Sequence, residues 1–328
     1  NGYLDENSFL SEKEQPLKSV QNKDFASFKA ALPPRDYFTD EIRRQLSRDF
    51  GEEEFFTGGM TVRATVDPEM QSKAALALQR SLENYDREQG IWRGTGLSLD
   101  AEFLRDEGSW RDALAALSLP RRIQLNGQWH PAVVLKLGAN SARIGIEGVE
   151  DDEDGHWIPS RDVRWASKAR EGDEPGPKAK VASDLLSLGD IVLVRALYDE
   201  EGKFDRWSLR QMSQVQGAFM AMDVNTGRVL AIQGGFSYEA SVYNRATQAD
   251  RQPGSSFKPF VYASALDGGY TPAAIVIDAP IEIDTPQGLW TPKNSSSKFY
   301  GPTPLRTGIE RSRNLMTIRL AREIGMEV

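Results

Sequence analysis

The stretch RQPGSSFKPF, Arg251 to Phe260, sets Ser255 three residues before Lys258, directly after a Pro-Gly turn. A serine hydroxyl is a weak nucleophile at neutral pH and needs a base. A lysine can be that base only while its amine is neutral, so burial or a nearby cation must lower its pKa. The spacing predicts a helix that opens near Ser255 and carries both residues on one side, the amine within reach of the hydroxyl. A helix N-terminus also offers N–H donors and partial positive charge where an oxyanion would form. The alternative is the polar start of an ordinary helix, and the four-residue pattern alone does not separate the two. Ser295-Ser296-Ser297-Lys298 repeats the pattern inside TPKNSSSKFYGP, a polar stretch that reads as a loop.

A second element, Ser312-Arg313-Asn314, lies 57 residues downstream of Ser255 and is the only Ser-x-Asn in the chain. In a serine acyl-transferase such a serine can pass a proton to a leaving amine. The asparagine amide can orient both lysine and substrate. The competing reading is a Ser N-cap followed by an asparagine in the turn. Ser-x-x-Lys followed by Ser-x-Asn is a pairing known from serine β-lactamases and penicillin-binding proteins, with a Lys-Thr-Gly strand as third part. The nearest match, Arg306-Thr307-Gly308, precedes Ser312 in a loop-to-helix segment. It is read as a decoy, and the third motif as missing.

Around these residues the sequence predicts a helix with Phe257, Phe260 and Val261 on one face, continued by Ser264 and Ala265 and stopped at Gly268-Gly269. Pro259 has no N–H for the Ser255 carbonyl, so the first turn is irregular. A second helix carries Leu315, Ile318 and Leu320 and stops at Gly325. The rest of the C-terminal part reads as mostly helical with loops. Before it, Phe219 to Val224 and Arg228 to Ile232 flank Asn225-Thr226-Gly227, a hairpin signal. Residues 132–137, 142–146 and 190–195 read as strands of a small β-domain, a partly open barrel, with a loop over 168–183. Met60 to Val66 alternates like a strand. Asp67-Pro68 then caps a helix over 69–85 with Met70, Ala74, Ala77, Leu78 and Leu82 on a face. Tyr37 to Ile42 is a short helical patch.

Composition narrows the function. The chain has 328 residues and a formal charge of −8 without a long basic run, so neither nucleic acid nor an anionic membrane surface is an expected partner. It has no cysteine and two histidines, His130 and His156, which disfavours disulfides, thiolates, a His-rich zinc site and a Ser-His-Asp triad. No metal or other cofactor is expected, and the histidines read as structural. No window of 18 apolar residues suggests a membrane span, NGYLDENSFL lacks the features of a signal peptide, and the chain reads as an excised piece of something longer.

Three longer stretches closely resemble the transpeptidase domain of bifunctional class A penicillin-binding proteins, best the 1A subtype: RQPGSSFKPFVYASALDGGYTP, WTPKNSSSKFYGPTPLRTGIERSRNL and GAFMAMDVNTGRVLAIQGGFSYEASVYNRATQA. The resemblance implies an α+β fold, helices packed on an antiparallel sheet, with a small OB-like β-domain inserted before it. It divides the chain into 1–55, the tail of a glycosyltransferase domain and connector; 56–95, a linker strand and helix; 96–207, an OB-like docking domain; and 208–328, the N-terminal part of the transpeptidase domain. It implies a D,D-transpeptidase at the periplasmic face of the bacterial inner membrane, anchored through an upstream segment. Its substrates would be the D-Ala-D-Ala ends of peptidoglycan stem peptides, and β-lactams its covalent inhibitors. The resemblance makes Ser255 the nucleophile, Lys258 its base, Ser312 the proton relay and Asn314 the positioning residue. Trp290, Lys293 and Asn294 resemble part of a cleft-lining loop without an assigned role. An outer-membrane lipoprotein activator is the implied partner of the OB-like domain. Without the Lys-Thr-Gly strand, the expected cleft is unfinished.

Two rivals remain at this stage. A β-lactam hydrolase could use the same Ser255 and Lys258, but no motif for a deacylating base is visible. A non-catalytic fragment could act through its β-domain. That domain carries the acidic run Glu147 to Asp154, which disfavours phosphate and favours a protein partner.

Overall fold

The computed structural model describes Asp5 and residues 35–151, 153–170, 172 and 174–325. The expected connector before residue 35 therefore lies, Asp5 apart, outside the described residues. The chain divides into two compact units, residues 1–249 and 250–328.

The first unit opens with α1, Tyr37–Phe50, longer than the patch read from sequence. Asp36 and Thr39 form a reciprocal capping box at its start. After α2, Glu52–Thr57, residues 60–66 run extended but form no strand. Alternation needs a partner ladder to become a strand, and here only Asp67 N–H reaches Leu230 O and Thr65 Oγ1 reaches Val229 O. Asp67 does cap the next helix, α3, Pro68–Gln89, through its carboxylate to Met70 N–H at 2.9 Å. Ala74 and Leu82 are buried as expected, whereas Met70 and Ala77 are exposed. The remaining buried side chains of α3 are polar: Gln79, Glu83 and Asp86.

The β-domain follows: β1, Ile91–Trp92; α4, Glu107–Ala116; β2, Trp129–Leu137; β3, Ser141–Ile146; β4, His156–Pro159; β5, Ser167–Ala169; β6, Pro175–Lys178; β7, Ile191–Tyr198; and β8, Phe204–Arg210. Five strands make an antiparallel sheet in the order β4-β3-β2-β7-β8. Side chains tie its two edge strands together. Trp207 Nε1 donates to His156 Nδ1 at 3.3 Å, and Ser208 Oγ donates to Asp162 just after β4 at 2.6 Å. The sheet thus curls towards itself as a partly open barrel around Ile144, Ile158, Val192 and Leu209. Both histidines stack edge-on to Trp207, which gives them a packing role. The segment expected to be a loop over 168–183 instead holds β5 and β6, joined to β1 in a small sheet. Its polar composition hid a strand whose partner is 76 residues away.

A hairpin closes this unit: β9, Phe219–Met222, pairs with β10, Val229–Gln233, around a turn held by the Asp223 carboxylate. The Gln71 amide on α3 both donates to Ile232 O and accepts from Ile232 N, at 2.9 and 2.8 Å, stitching the hairpin to the helix.

Between α3 and the barrel lies a buried charge cluster. Glu83 Oε1 meets Arg210 Nε at 3.1 Å, and Arg195 Nη1 stands 4.0 Å from Glu83 Oε2. Burial, then the like charge of Arg195, pushes the Arg210 guanidinium down to about 10. Removing the carboxylate leaves two guanidinium groups facing each other in a poorly solvated space. Glu83→Ala is expected to destabilise the first unit by about 3–5 kcal/mol, read from urea unfolding.

The second unit contains α5, Lys258–Asp267; β11, Ile275–Asp278; β12, Ile283–Thr285; β13, Gly288–Trp290; β14, Gly301–Pro304; α6, Leu305–Glu310; and α7, Asn314–Ile324. Its four short strands, pairing as β11–β14 and β12–β13, add to a segment read from sequence as mostly helical with loops. They are three or four residues long, too short for a periodic signal. Its core is Tyr262, Ala265, Val276, Leu305, Met316 and Leu320. The expected face through Phe257 and Phe260 is wrong: both are exposed, and α5 buries Lys258, Tyr262 and Ala265.

Candidate active site

The backbone at Ser255 is set by the proline that follows. Pro259 cannot donate to the Ser255 carbonyl, so Lys258 N–H takes that acceptor and residues Gly254–Phe257 form a 3-10 turn before α5. Residues three apart eclipse in such a turn, which puts Lys258 over Ser255 on one side. Ser255 itself is exposed.

Lys258 is 8% exposed, on the buried side of its helix. Its Nζ makes three hydrogen bonds: to Ser312 O at 2.6 Å, Ser312 Oγ at 2.9 Å and Asn314 Oδ1 at 2.7 Å. The expected side-chain bond to Ser255 is not formed. The amine points instead at the Ser-x-Asn element, whose three acceptors converge on it. Every one of these acceptors is uncharged, and among the described residues Lys258 has no carboxylate partner. Burial without a counter-charge lowers the lysine pKa from its ordinary value of 10.5.

Ser312 does not cap α7, contrary to the plainer sequence reading. It ends α6. Its own N–H bonds Ile309 O at 3.0 Å and Arg313 N–H bonds Gly308 O at 2.8 Å, a Schellman closure with Ser312 in the left-handed position at φ 52°. Glycine is the usual occupant there, because a Cβ costs about 1–2 kcal/mol. A serine held in this conformation presents its carbonyl and its hydroxyl to the same amine. Ser312→Gly is expected to leave the urea midpoint unchanged or higher while lowering the acylation rate by about 10²-fold or more through loss of Oγ.

Asn314 begins α7. Its Nδ2 donates to Lys293 O at 2.9 Å, which fixes the amide so that Oδ1 faces Lys258. Of the residues the sequence marked, Lys258, Ser312 and Asn314 are drawn together, with Ser255 one turn away. Ser295 and Lys298 lie in a loop, as expected for the second Ser-x-x-Lys. Arg306-Thr307-Gly308 lies in α6, where a Cβ on Gly308 would sit 2.6 Å from Tyr262 Oη and Met316 Cε. That glycine is there for close helix packing. Sequence reasoning left Asn294 without a role and missed Asp278 altogether. Both are buried behind Asn314, and their links to each other and to α7 span 16 and 20 residues, which no local pattern reads. Among the described residues no cluster of His, Asp or Glu could hold a metal ion.

Comparison with known proteins gives a consistent picture. A family model described as penicillin-binding protein OB-like domain matches residues 92–215, and one described as penicillin binding protein transpeptidase domain matches residues 217–328. Penicillin-binding protein 1A of Rickettsia bellii is 35% identical over 295 residues, which cover 89% of this chain and 34% of that protein. Penicillin-binding protein 1A of Pseudomonas aeruginosa is 32% identical over 331 residues, covering 99% and 37% respectively. The crystal structure of penicillin-binding protein 1A from Haemophilus influenzae superposes with a TM-score of 0.70 at 29% identity, covering 99% of this chain and 43% of that one. The chain thus spans about a third of the length of the curated relatives it matches. The two family models, which between them match residues 92–215 and 217–328, together with the penicillin-binding protein 1A relatives at 35% and 32% identity, place the chain in the penicillin-binding protein family.

Proposed function

We propose that this chain serves a D,D-transpeptidase, with Ser255 as nucleophile and Lys258 as its base. The observation that carries this reading is the buried Lys258 amine, ringed by three neutral acceptors and one turn from an exposed serine. Ser255 Oγ attacks the carbonyl carbon of the penultimate D-Ala and its proton passes to neutral Lys258. Collapse of the tetrahedral intermediate breaks the peptide bond. The proton returns by way of Ser312 Oγ to the departing amine, so D-Ala leaves and an ester to Ser255 remains. An amine of a neighbouring stem then attacks that ester, its proton returns to the Ser255 oxygen, and the cross-linking amide forms. A β-lactam would enter the same first step and remain as the ester.

The reading keeps the modules 1–55, 56–95, 96–207 and 208–328 and sets the reaction at the periplasmic face of the inner membrane. Among the described residues no helix is long and apolar enough to cross a membrane. The OB-like domain is proposed to dock a protein, an outer-membrane lipoprotein activator being the implied one. Arg121 and Arg143 neutralise Glu147 and Asp151 of its acidic run, at 2.8 and 2.6 Å.

Intact mass after penicillin treatment, with the labelled peptide mapped, tests the reading. One stable adduct on the peptide holding Ser255 is expected. Rapid loss of the adduct with repeated turnover would favour the β-lactam hydrolase instead.

A further inference from the structure

The reading above leaves WTPKN, Trp290 to Asn294, unused, yet its last residue is among the most enclosed polar groups of the second unit. Asn294 is 5% exposed. Its Oδ1 accepts from Asn314 N–H at 2.8 Å and from Leu315 N–H at 3.3 Å. These are the first donors of α7, which has no side-chain cap of its own. Its Nδ2 donates to Lys298 O at 3.0 Å and to Asp278 Oδ1 at 2.7 Å. Asp278 is completely buried at the end of β11, and its other oxygen has no hydrogen bond, only Arg313 Nε at 3.9 Å.

Two consecutive residues therefore hold Asn314 at two points. Asn294 takes its backbone N–H, and the Lys293 carbonyl takes its side-chain amide. With both ends fixed, Asn314 Oδ1 has one direction left, towards Lys258 Nζ. Asp278 in turn fixes the Asn294 amide, because a carboxylate accepts only from the NH₂ end and leaves Oδ1 for the helix.

We infer that Asn294, oriented by Asp278, is a positioning residue for the acylation step, holding Asn314 and the first turn of α7 so that Asn314 Oδ1 and Ser312 keep the Lys258 amine in place. The inference rests on the proposed function, since it needs Lys258 to act as the base. It assigns a task to a residue that touches neither nucleophile nor substrate.

The test uses the intact protein and a fluorescent penicillin, with acylation rates measured across pH for Asn294→Ala, Asn294→Ser and Ser255→Ala. Asn294→Ala is expected to acylate at least tenfold more slowly but to reach the same final labelled fraction. Its alkaline limb should move to higher pH, as water reaches the loosened amine. Asn294→Ser, whose hydroxyl can still accept from α7, should recover much of the rate. A merely structural role would lower the labelled fraction and leave the pH limb where it is, which overturns the inference. So would an Asn294→Ala rate within twofold of the parent. If Asn294→Ala fails to fold, the serine variant decides: a parent-like limb and rate support the inference, and a labelling loss without any rate change overturns it. Labelling of Ser255→Ala at the parent rate would instead sink the proposed function itself, an outcome readable separately from the other two.

Discussion

Ser255→Ala loses covalent labelling by penicillin altogether and leaves both units folded. The expected drop in acylation is about 10⁵-fold or more, because the substitution removes the attacking oxygen itself. The hydroxyl that touches Lys258, Ser312 Oγ, already accepts from its amine, and the Ser312 backbone is committed to the Schellman closure. The fold should not register the change. Ser255 is exposed, its side chain carries no hydrogen bond in the structure, and the turn is held by its carbonyl, which alanine keeps. A circular dichroism spectrum and urea midpoint equal to the parent, beside a blank labelling gel, are the expected pair of results. An adduct on another residue would require a different nucleophile.

Lys258 carries the second large effect. Lys258→Ala is expected to slow acylation by about 10²–10⁴-fold, the usual range for a lost general base. Lys258→Arg should be no better, although it keeps the charge, because a guanidinium does not give up its proton near neutral pH. That comparison separates a base from a mere cation. The pH dependence follows from the direction of the shift. Burial lowers the Lys258 pKa below 10.5, so the neutral, competent amine accumulates at a lower pH than for a free lysine. Acylation should therefore rise with pH and level off before 10.5. Stability follows the same group with its own sign. Between the folded-state pKa and 10.5 the unfolded chain binds more proton than the native one, so native stability increases with pH across that window. Lys258→Met should flatten that slope, measured as urea midpoints over the alkaline range.

These effects exceed those expected elsewhere because they act on the reacting atoms. Glu83→Ala removes a carboxylate from a buried cluster, and its cost falls on folding of the first unit, whereas the chemistry read here belongs to the second. The two kinds of loss are separable by experiment: one blanks the gel at constant stability, the other shifts the unfolding curve.

What the sequence determined on its own was local. Asp67 announces a helix because a carboxylate three residues before a free N–H is a local contact. Asn225-Thr226-Gly227 announces a hairpin because a turn is closed by its own residues. Pro259 announces an irregular turn because the missing donor is written in the residue type. The Ser-x-x-Lys and Ser-x-Asn motifs are legible as words, and so is the family they resemble. Tertiary structure decided which atoms meet. Lys258 is expected to face Ser255, yet it faces Ser312 and Asn314, because a left-handed serine at the end of α6 turns two acceptors towards the buried amine. Phe257 and Phe260 are expected inside, Asn294 carries no assigned role and Asp278 goes unremarked. Burial depends on which elements pack against a face, and the partners cited for Glu83, Asp278 and Asn294 come from segments 127, 16 and 20 residues away. Periodicity reads one segment at a time, whereas the pairing of buried polar groups is settled only when those segments are assembled.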